Sequence, residues 1–214
     1  MLTRPFETHI SASMLFKRNQ VEEAISRAIG ESSAEPSTTL KTRLKRLLDV
    51  DRKLATGAGP RFAFCAKAPE GKGAITLFCF ADACALFIGM RMLEHGWPQN
   101  FVVSSLRPVR ADLSRRHEAI LRRPVQLRKT PPEAGEVEFG GPTSDFLLVV
   151  SDMRAARNKS SEPYLRLFDS ETEAFKFQLE EAGRSCSWFS LEGPARILHQ
   201  QLSTSLPRKR GRAS

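Results

Sequence analysis

The chain has 214 residues, 41% of them hydrophobic, which is enough to build a core in one large domain or two small ones. No apolar run approaches the length that spans a bilayer, and the N-terminal residues lack the apolar segment of a secretory signal. We therefore expect a cytoplasmic protein with no membrane partner. The net charge of +9 favours an anionic partner, with a generally basic proteome as the alternative explanation.

The charge is unevenly distributed along the chain. Residues 1–130 carry a net charge of +10, residues 131–206 carry −5, and residues 207–214 carry +4. The Pro- and Gly-containing stretch 129–141 is the best candidate boundary between the first two regions. These features predict a basic, winged-helix-like domain over 1–130, an acidic α+β region over 131–206 and a disordered basic tail over 207–214.

The first clear element is an amphipathic helix. Apolar residues recur at helical spacing from Val21 to Ile29, acidic side chains lie early in the pattern, and Gly30 follows it. This predicts a helix over about residues 17–29, followed by a polar link over 31–37.

A second helix is predicted between Thr38 and Leu54, because its leucines recur at helical spacing on one face. Asp51 projects near the middle of that apolar face. Either the helix ends before Asp51 or this carboxylate is paired, and Arg43 at the border of the apolar stripe is one candidate partner.

The opposite face of the second helix is almost entirely cationic, with Asp49 as the acidic residue among the basic ones. Such a surface would attract phosphates, although a run of charge is more often only a solvated helix face. The candidate nucleic-acid contacts on this helix are Lys41, Lys45, Arg46, Arg52 and Lys53.

Two runs rich in strand-forming residues follow, 61–67 and 74–80, joined by a Gly- and Pro-containing turn at 68–73. Helices followed by a hairpin are typical of a winged helix, in which Lys67 and Lys72 on the hairpin would reach a phosphate. The link between the two helices is longer than the turn usual in that motif. The alternative is a basic surface helix packed on a sheet in any α+β domain.

The middle of the chain predicts a helical bundle. Residues 80–95 form the most apolar helix, in which Gly89 would permit close approach of a neighbouring helix and a homodimer contact. Pro98 can open a helix over 99–107, and Pro108 can open a third helix.

A second basic patch is expected on or just after that third helix, where it would extend the first patch along a duplex or bind an acidic protein. Its members are Arg110, Arg115, Arg116, Arg122 and Arg123. His117 falls on the apolar stripe of the same helix, which favours a core residue over a metal ligand or a catalytic group.

The last third alternates strands and helices. Residues 145–151 are predicted as a buried strand that pairs with 164–168, and 185–190 as another strand. Helices are expected around 175–182 and from Pro194 onward. The fold class is therefore α+β, with N-terminal winged-helix-like helices plus a hairpin, a central helical bundle, and a small C-terminal antiparallel sheet with helices.

Sequence motifs of nucleotide binding, zinc ligation or an activated nucleophile are not found, so we expect no catalytic residues, no metal and no cofactor. An active site assembled from distant residues would leave no such local spacing. The four cysteines lie in apolar runs without CxxC spacing and are expected to be reduced: Cys65, Cys79, Cys84 and Cys186.

Three hypotheses of function follow. The first is a DNA-binding regulatory or accessory protein that contacts double-stranded DNA through the basic helix, the hairpin tip, the second patch and the tail. The tail would contribute Arg208, Lys209, Arg210 and Arg212, although Ala213 stands where an AT-hook would have Pro. The second is a structural or protein-interaction subunit that docks partners through its basic front and acidic back surfaces, and the third is an enzyme of unfamiliar type.

Overall fold

The structure is a computed structural model that describes residues 14–33, 35–55, 62–65, 76–123, 146–151, 164–180 and 185–205. For residues 146–151, 171 and 185 it describes the backbone alone. The helices are α1 (Arg18–Ala28), α2 (Thr38–Lys53), α3 (Phe80–Glu94), α4 (Gln99–Arg122), α5 (Glu171–Glu180) and α6 (Glu192–Thr204). The strands are β1 (Phe16–Lys17), β2 (Leu77–Phe78), β3 (Phe146–Ser151), β4 (Tyr164–Phe168) and β5 (Ser185–Ser190). The predicted α+β class is confirmed.

Helix α2 runs past Asp51 to Lys53, so the alternative of an earlier end is wrong. The side chain of Ser37 caps its first turn by accepting a hydrogen bond from the Leu40 backbone N–H at 3.1 Å. The leucines of the predicted apolar stripe are buried: Leu40, Leu44, Leu47 and Leu48. Sequence periodicity was therefore sufficient to identify the inner face of this helix.

Helix α3 is the central helix, as its composition predicts, because it packs against α1, α2, α4 and α6. A Cβ added at Gly89 would lie 3.1 Å from the Phe64 ring and 3.4 Å from a methyl group of Val102. The close approach that Gly89 permits is therefore used inside the chain. This part of α3 is not available for the homodimer contact that the sequence suggested.

Helix α4 is continuous from Gln99 to Arg122, so the prediction of two helices divided at Pro108 is wrong. Proline removes one backbone N–H, which leaves the carbonyl of Ser104 without its helical donor. Both Pro108 and Ser104 are exposed, so that carbonyl lies on the solvent side of the helix. The opposite side of the same turn buries Val103 and Leu106 in the core, and this packing outweighs the local cost of proline.

The predicted hairpin between 61–67 and 74–80 is not formed by the described parts of those runs. Residues 62–65 make a bend without strand structure, and β2 pairs antiparallel with β1 instead, with Phe16 opposite Phe78. Both phenylalanines are buried, so this pairing places two aromatic rings in the core. Among the described residues, the expected hairpin pairing is therefore not found, while residues 66–75, which include the hairpin tip at 68–73, lie outside the described part of the chain.

The second sheet has the order β4–β3–β5 and is antiparallel throughout, which confirms the three strands predicted in the last third. One face of the sheet packs against the helical core through Leu165, Leu167 and Phe189. The other face packs against α5, where Phe168 and Phe177 are buried together.

Helix α6 begins at Glu192, two residues before the predicted Pro194, and packs on α1, α3 and α4. Its Leu198 and Leu202 belong to the same core as the front helices. The predicted boundary at 129–141 lies outside the described residues. None of the helices in the described part of the chain combines the length and apolar character needed to cross a membrane.

Candidate nucleic-acid interface

The candidate interface is the solvent side of α2, opposite its buried leucines. Four of its cationic side chains are exposed, and Lys41 at its border is half-buried. We call this surface the basic face of α2, and it consists of Lys41, Lys45, Arg46, Arg52 and Lys53.

Three cations of the basic face have no carboxylate within ion-pair distance in the part of the chain that the structure describes: Lys45, Arg46 and Lys53. Arg52 lies 3.4 Å from Asp49, and Lys41 lies 3.9 Å from Glu35. All four of these paired side chains are at least 42% exposed, so the two pairs are weak and open to competition by another anion.

The start of α2 is held against the end of α1 by Glu31. Its carboxylate accepts hydrogen bonds from the hydroxyls of Ser26 and Ser37 and from the backbone N–H of Ser37. These bonds lower the pKa of Glu31, with the Ser26 bond as the largest cause. Because Ser37 also caps α2, the carboxylate fixes the position at which the basic face begins.

The other end of α2 is held by Asp51, which is 1% exposed. Its carboxylate accepts hydrogen bonds from the backbone N–H groups of Ala63 and Phe64 at 2.9 and 3.1 Å, and from Arg107 of α4 at 2.9 Å. The prediction that Asp51 is paired is confirmed, but Arg43 as its partner is wrong. Arg43 is exposed and is a further cation at the edge of the α2 surface that sequence reasoning had assigned elsewhere.

Arg110, predicted to lie in the second basic patch, is used inside the protein. It pairs with Asp82, which is 2% exposed and which also accepts a hydrogen bond from the Cys79 backbone N–H at the start of α3. The guanidinium therefore neutralises a buried carboxylate that caps a helix. Since it is committed to that pair, Arg110 is not part of a surface for phosphates.

Two other arginines of the predicted second patch have different environments. Arg115 is 80% exposed and pairs with Asp112 on the same helix. Arg116 is 21% exposed, donates a hydrogen bond to the backbone carbonyl of Phe168 at 3.1 Å and pairs with Asp169. Arg116 therefore joins α4 to the end of β4, and the second patch is divided between surface and structural roles.

Several predicted contacts lie outside the described residues: Lys67, Lys72, Arg208, Lys209, Arg210 and Arg212. Their placement in the interface stays a prediction.

His117 is a core residue, as its place on the apolar stripe predicts. It is 4% exposed, and its Nε2 atom has no hydrogen-bond partner among the described residues. The ring of Phe80 stacks with the rings of His117 and His199, at centroid distances of 6.5 and 4.5 Å. Burial, and secondarily the nearby His199, lower the pKa of His117 to about 4, so the imidazole is neutral at pH 7.

The cysteines are free thiols, and burial is the largest cause that raises their pKa where a shift is resolved. It raises the pKa of Cys84 to about 12 and, together with the nearby Asp51, that of Cys65 to about 11. Neutral thiols are poor nucleophiles and poor metal ligands. Within the described ranges, no three His, Cys, Asp or Glu side chains converge in a way that could hold a metal ion.

Comparison of the sequence with known protein families and with curated proteins finds no match. The functional assignment therefore depends on the physical chemistry of this chain alone.

Proposed function

We propose that this protein is a DNA-binding regulatory or accessory protein that contacts the duplex through the basic face of α2. One observation carries the proposal, namely that Lys45, Arg46 and Lys53 project from one side of a single helix without carboxylate partners among the described residues. An uncompensated cluster of this kind is the electrostatic footprint expected of a surface for polyanions.

The dimensions of the face suit a nucleic-acid backbone. Lys45 and Lys53 are separated by about 12 Å along the helix axis at 1.5 Å per residue. A duplex segment of that length carries about seven phosphates, so several are within reach of the long side chains. The face presents cations and no Asn or Gln, which favours contact with phosphates over readout of adenine.

The inner side of α2 would keep this face in a fixed orientation. Its leucines are buried, Glu31 holds its start, and Asp51 holds its end against α4. A rigid array of charges loses less conformational entropy on binding than a flexible one, and this helps a phosphate surface on a short helix.

The proposal is tested by neutralising the three unpaired cations together. We expect Lys45→Gln, Arg46→Gln, Lys53→Gln to weaken binding of a fluorescein-labelled 20-base-pair duplex by about 100-fold or more at 100 mM salt. At that salt each phosphate contact contributes about a factor of eight through counterion release. Fluorescence anisotropy measures the affinity, and circular dichroism verifies that the variant is folded.

The matched control removes the same total charge elsewhere. Arg27, Arg166 and Lys176 are exposed cations on α1, β4 and α5, outside both predicted basic patches, and their triple change to Gln should reduce affinity much less. Equal losses in the two triple variants would show that only net charge matters, and would overturn the assignment to α2. A wild-type protein that does not bind the duplex would overturn the function itself.

A second candidate function is a protein-interaction subunit, and one observation favours it. Phe175 and Leu179 lie one turn apart on α5 and are 56% and 62% exposed. Large apolar side chains that are adjacent on a surface are typical of protein-binding sites. If this function is correct, changing both residues to Ser removes a stoichiometric partner from an affinity pull-down, and the α2 triple variant retains it.

A further inference from the structure

Helix α5 has a buried side against the sheet and a solvent side that is partly apolar. Ala174 and Phe177 face the sheet and are buried with Phe168. On the opposite side, Phe175 and Leu179 are adjacent and expose 56% and 62% of their surface. Because the sheet already covers the inner side of α5, this outer apolar pair is available for a contact beyond the fold of one chain.

One flank of the apolar pair carries charges of both signs. Lys176 is exposed, with Glu173 three residues before it and Glu180 four residues after it, so the three side chains lie on the same flank of the helix. None of the three has an ion-pair partner in the part of the chain that the structure describes. The flank can therefore form ion pairs with another surface, provided that this surface places a carboxylate opposite the lysine and a cation opposite a glutamate.

A second copy of α5 presents that pattern. When two copies of one helix pack antiparallel about a two-fold axis, residue i contacts residue j and residue j contacts residue i. Phe175 then meets Leu179 of the second copy. The two identical flanks face each other in opposite directions, so Lys176 lies opposite Glu180 of the second copy. Each contact occurs twice, which brings four apolar side chains together and forms two ion pairs.

We propose that the outer side of α5 is a self-association surface whose partner is a second copy of this chain, packed antiparallel. The proposal rests on the second candidate function, since both use the exposed side of α5, and it does not depend on duplex binding. Helix α5 packs on β3 and β4, whereas α2 packs on α1, α3 and α4. The dimer therefore uses a different part of the protein from the basic face of α2.

The size of the contact makes the dimer weak. Helix α5 has 10 residues, so its outer side covers about 15 Å by 10 Å. This footprint is well below the ~800 Å² that each partner buries in a stable complex. We therefore expect a dissociation constant on the order of 0.1 mM and a monomeric protein in dilute solution.

Sedimentation equilibrium of the full chain measures the association. Between about 5 µM and 1 mM protein, the weight-average mass should rise from that of a monomer toward that of a dimer. Changing Phe175 and Leu179 together to Ser removes the apolar centre of the contact and should weaken the dimer at least about tenfold. Circular dichroism verifies that the variant is folded.

A charge swap tests whether the partner is a second copy. Lys176→Glu places like charges opposite one another in both symmetric pairs and should raise the dissociation constant at least about fivefold. Glu180→Lys should have a similar effect for the same reason. The variant with both changes restores opposite charges and should return to within about twofold of wild type. Lys17→Glu is the control, because it changes the net charge as Lys176→Glu does at an exposed position on β1, and it should leave the dimer unchanged.

A wild-type protein that stays monomeric up to about 1 mM would overturn the proposal, and so would a dimer that keeps its affinity in the double Ser variant. A double charge variant as weak as the single ones would overturn the antiparallel pairing. If the double Ser variant does not fold, the charge swap decides, because both charged side chains are on the surface. A monomeric protein that still retains a different stoichiometric partner through α5 would overturn the dimer and leave the second candidate function in place.

Discussion

Asp51 lies on the apolar face of α2, yet it is the residue that joins α2 to α4 and to the segment 62–65. Changing it to Asn leaves the Arg107 guanidinium, only 17% exposed, without a countercharge and places an amide NH₂ against two N–H donors. We expect Asp51→Asn to lower the free energy of unfolding by about 3 kcal/mol in urea denaturation. Asp49→Asn on the exposed face of the same helix should cost less than about 0.5 kcal/mol. Similar losses for the two variants would contradict the structural role of Asp51.

The lowered pKa of the buried His117 should make the stability of the protein depend on pH. Its pKa is about 4 in the folded protein and 6.5 ordinarily, so below pH 6.5 the unfolded chain binds the proton that the folded core excludes. The contribution of neutral His117 to the free energy of unfolding is therefore complete above pH 6.5 and is lost as the pH decreases toward 4. The loss is about 3 kcal/mol in total, because each pKa unit corresponds to about 1.36 kcal/mol. Thermal melts of wild type between pH 7 and 4 measure this loss.

His117→Phe should remove this part of the pH dependence, because the substituted ring has no proton to gain. His95→Gln, at an exposed position, should leave it in place. If both variants keep the wild-type slope between pH 6.5 and 4, another group causes the acid sensitivity.

Single residues differ in how far the sequence determines their surroundings. The position of Asp51 on an apolar arc showed that the carboxylate required a partner, because a buried charge is unstable alone. Its partner Arg107 is 56 residues away in the chain, and no local spacing relates the two. The same is true of Arg110 and Arg116, whose side chains looked like surface charge until the fold placed Asp82 and Phe168 beside them.

At the level of whole elements, α4 offers a direct test of how packing overrides local preference. Pro108 lies inside this helix, whereas Pro98 is at its N-cap with the backbone that proline favours. Pro108→Ala should stabilise the protein by about 1 to 2 kcal/mol, because it restores a helical hydrogen bond at some cost in unfolded-state entropy. Pro98→Ala should destabilise it by about 0.5 kcal/mol. Urea denaturation of both variants measures the two effects, and a destabilised Pro108→Ala would contradict this view of α4.

The sequence predicted elements well where periodicity was strong and poorly where pairing was distant. Several elements could be predicted because their patterns are local in the sequence: the apolar stripe of α2, the apolar composition of α3, and the strands β3, β4 and β5. Residues 62–65 have the composition of a strand, but Asp51 holds residues 63 and 64 in a bend, and β2 pairs with β1. The partner β1 has only two residues, too few for a pattern.

At the scale of the whole molecule, the net charge of +9 says less about a binding surface than the division of the arginines between internal contacts and the solvent-exposed surface. Three arginines make contacts between elements and do not contribute to a basic surface: Arg107, Arg110 and Arg116. Without them, α2 is the helix of the described chain whose solvent face is most clearly cationic. The candidate interface was therefore partly predictable, because the cations of α2 alternate with buried leucines in the sequence. Which of the remaining cations share that surface could not be predicted, since this depends on tertiary placement.

The most direct measurement of the central claim is the dependence of duplex binding on salt. With at least three phosphate contacts from α2, the wild-type plot of log Kobs against log salt should have a slope of about −2.7 or steeper. The Lys45, Arg46 and Lys53 triple variant should lose about 2.7 units of that slope, and the Arg27, Arg166 and Lys176 control should keep it. A wild-type slope near zero, or the same slope in all three proteins, would contradict a phosphate-binding surface on α2.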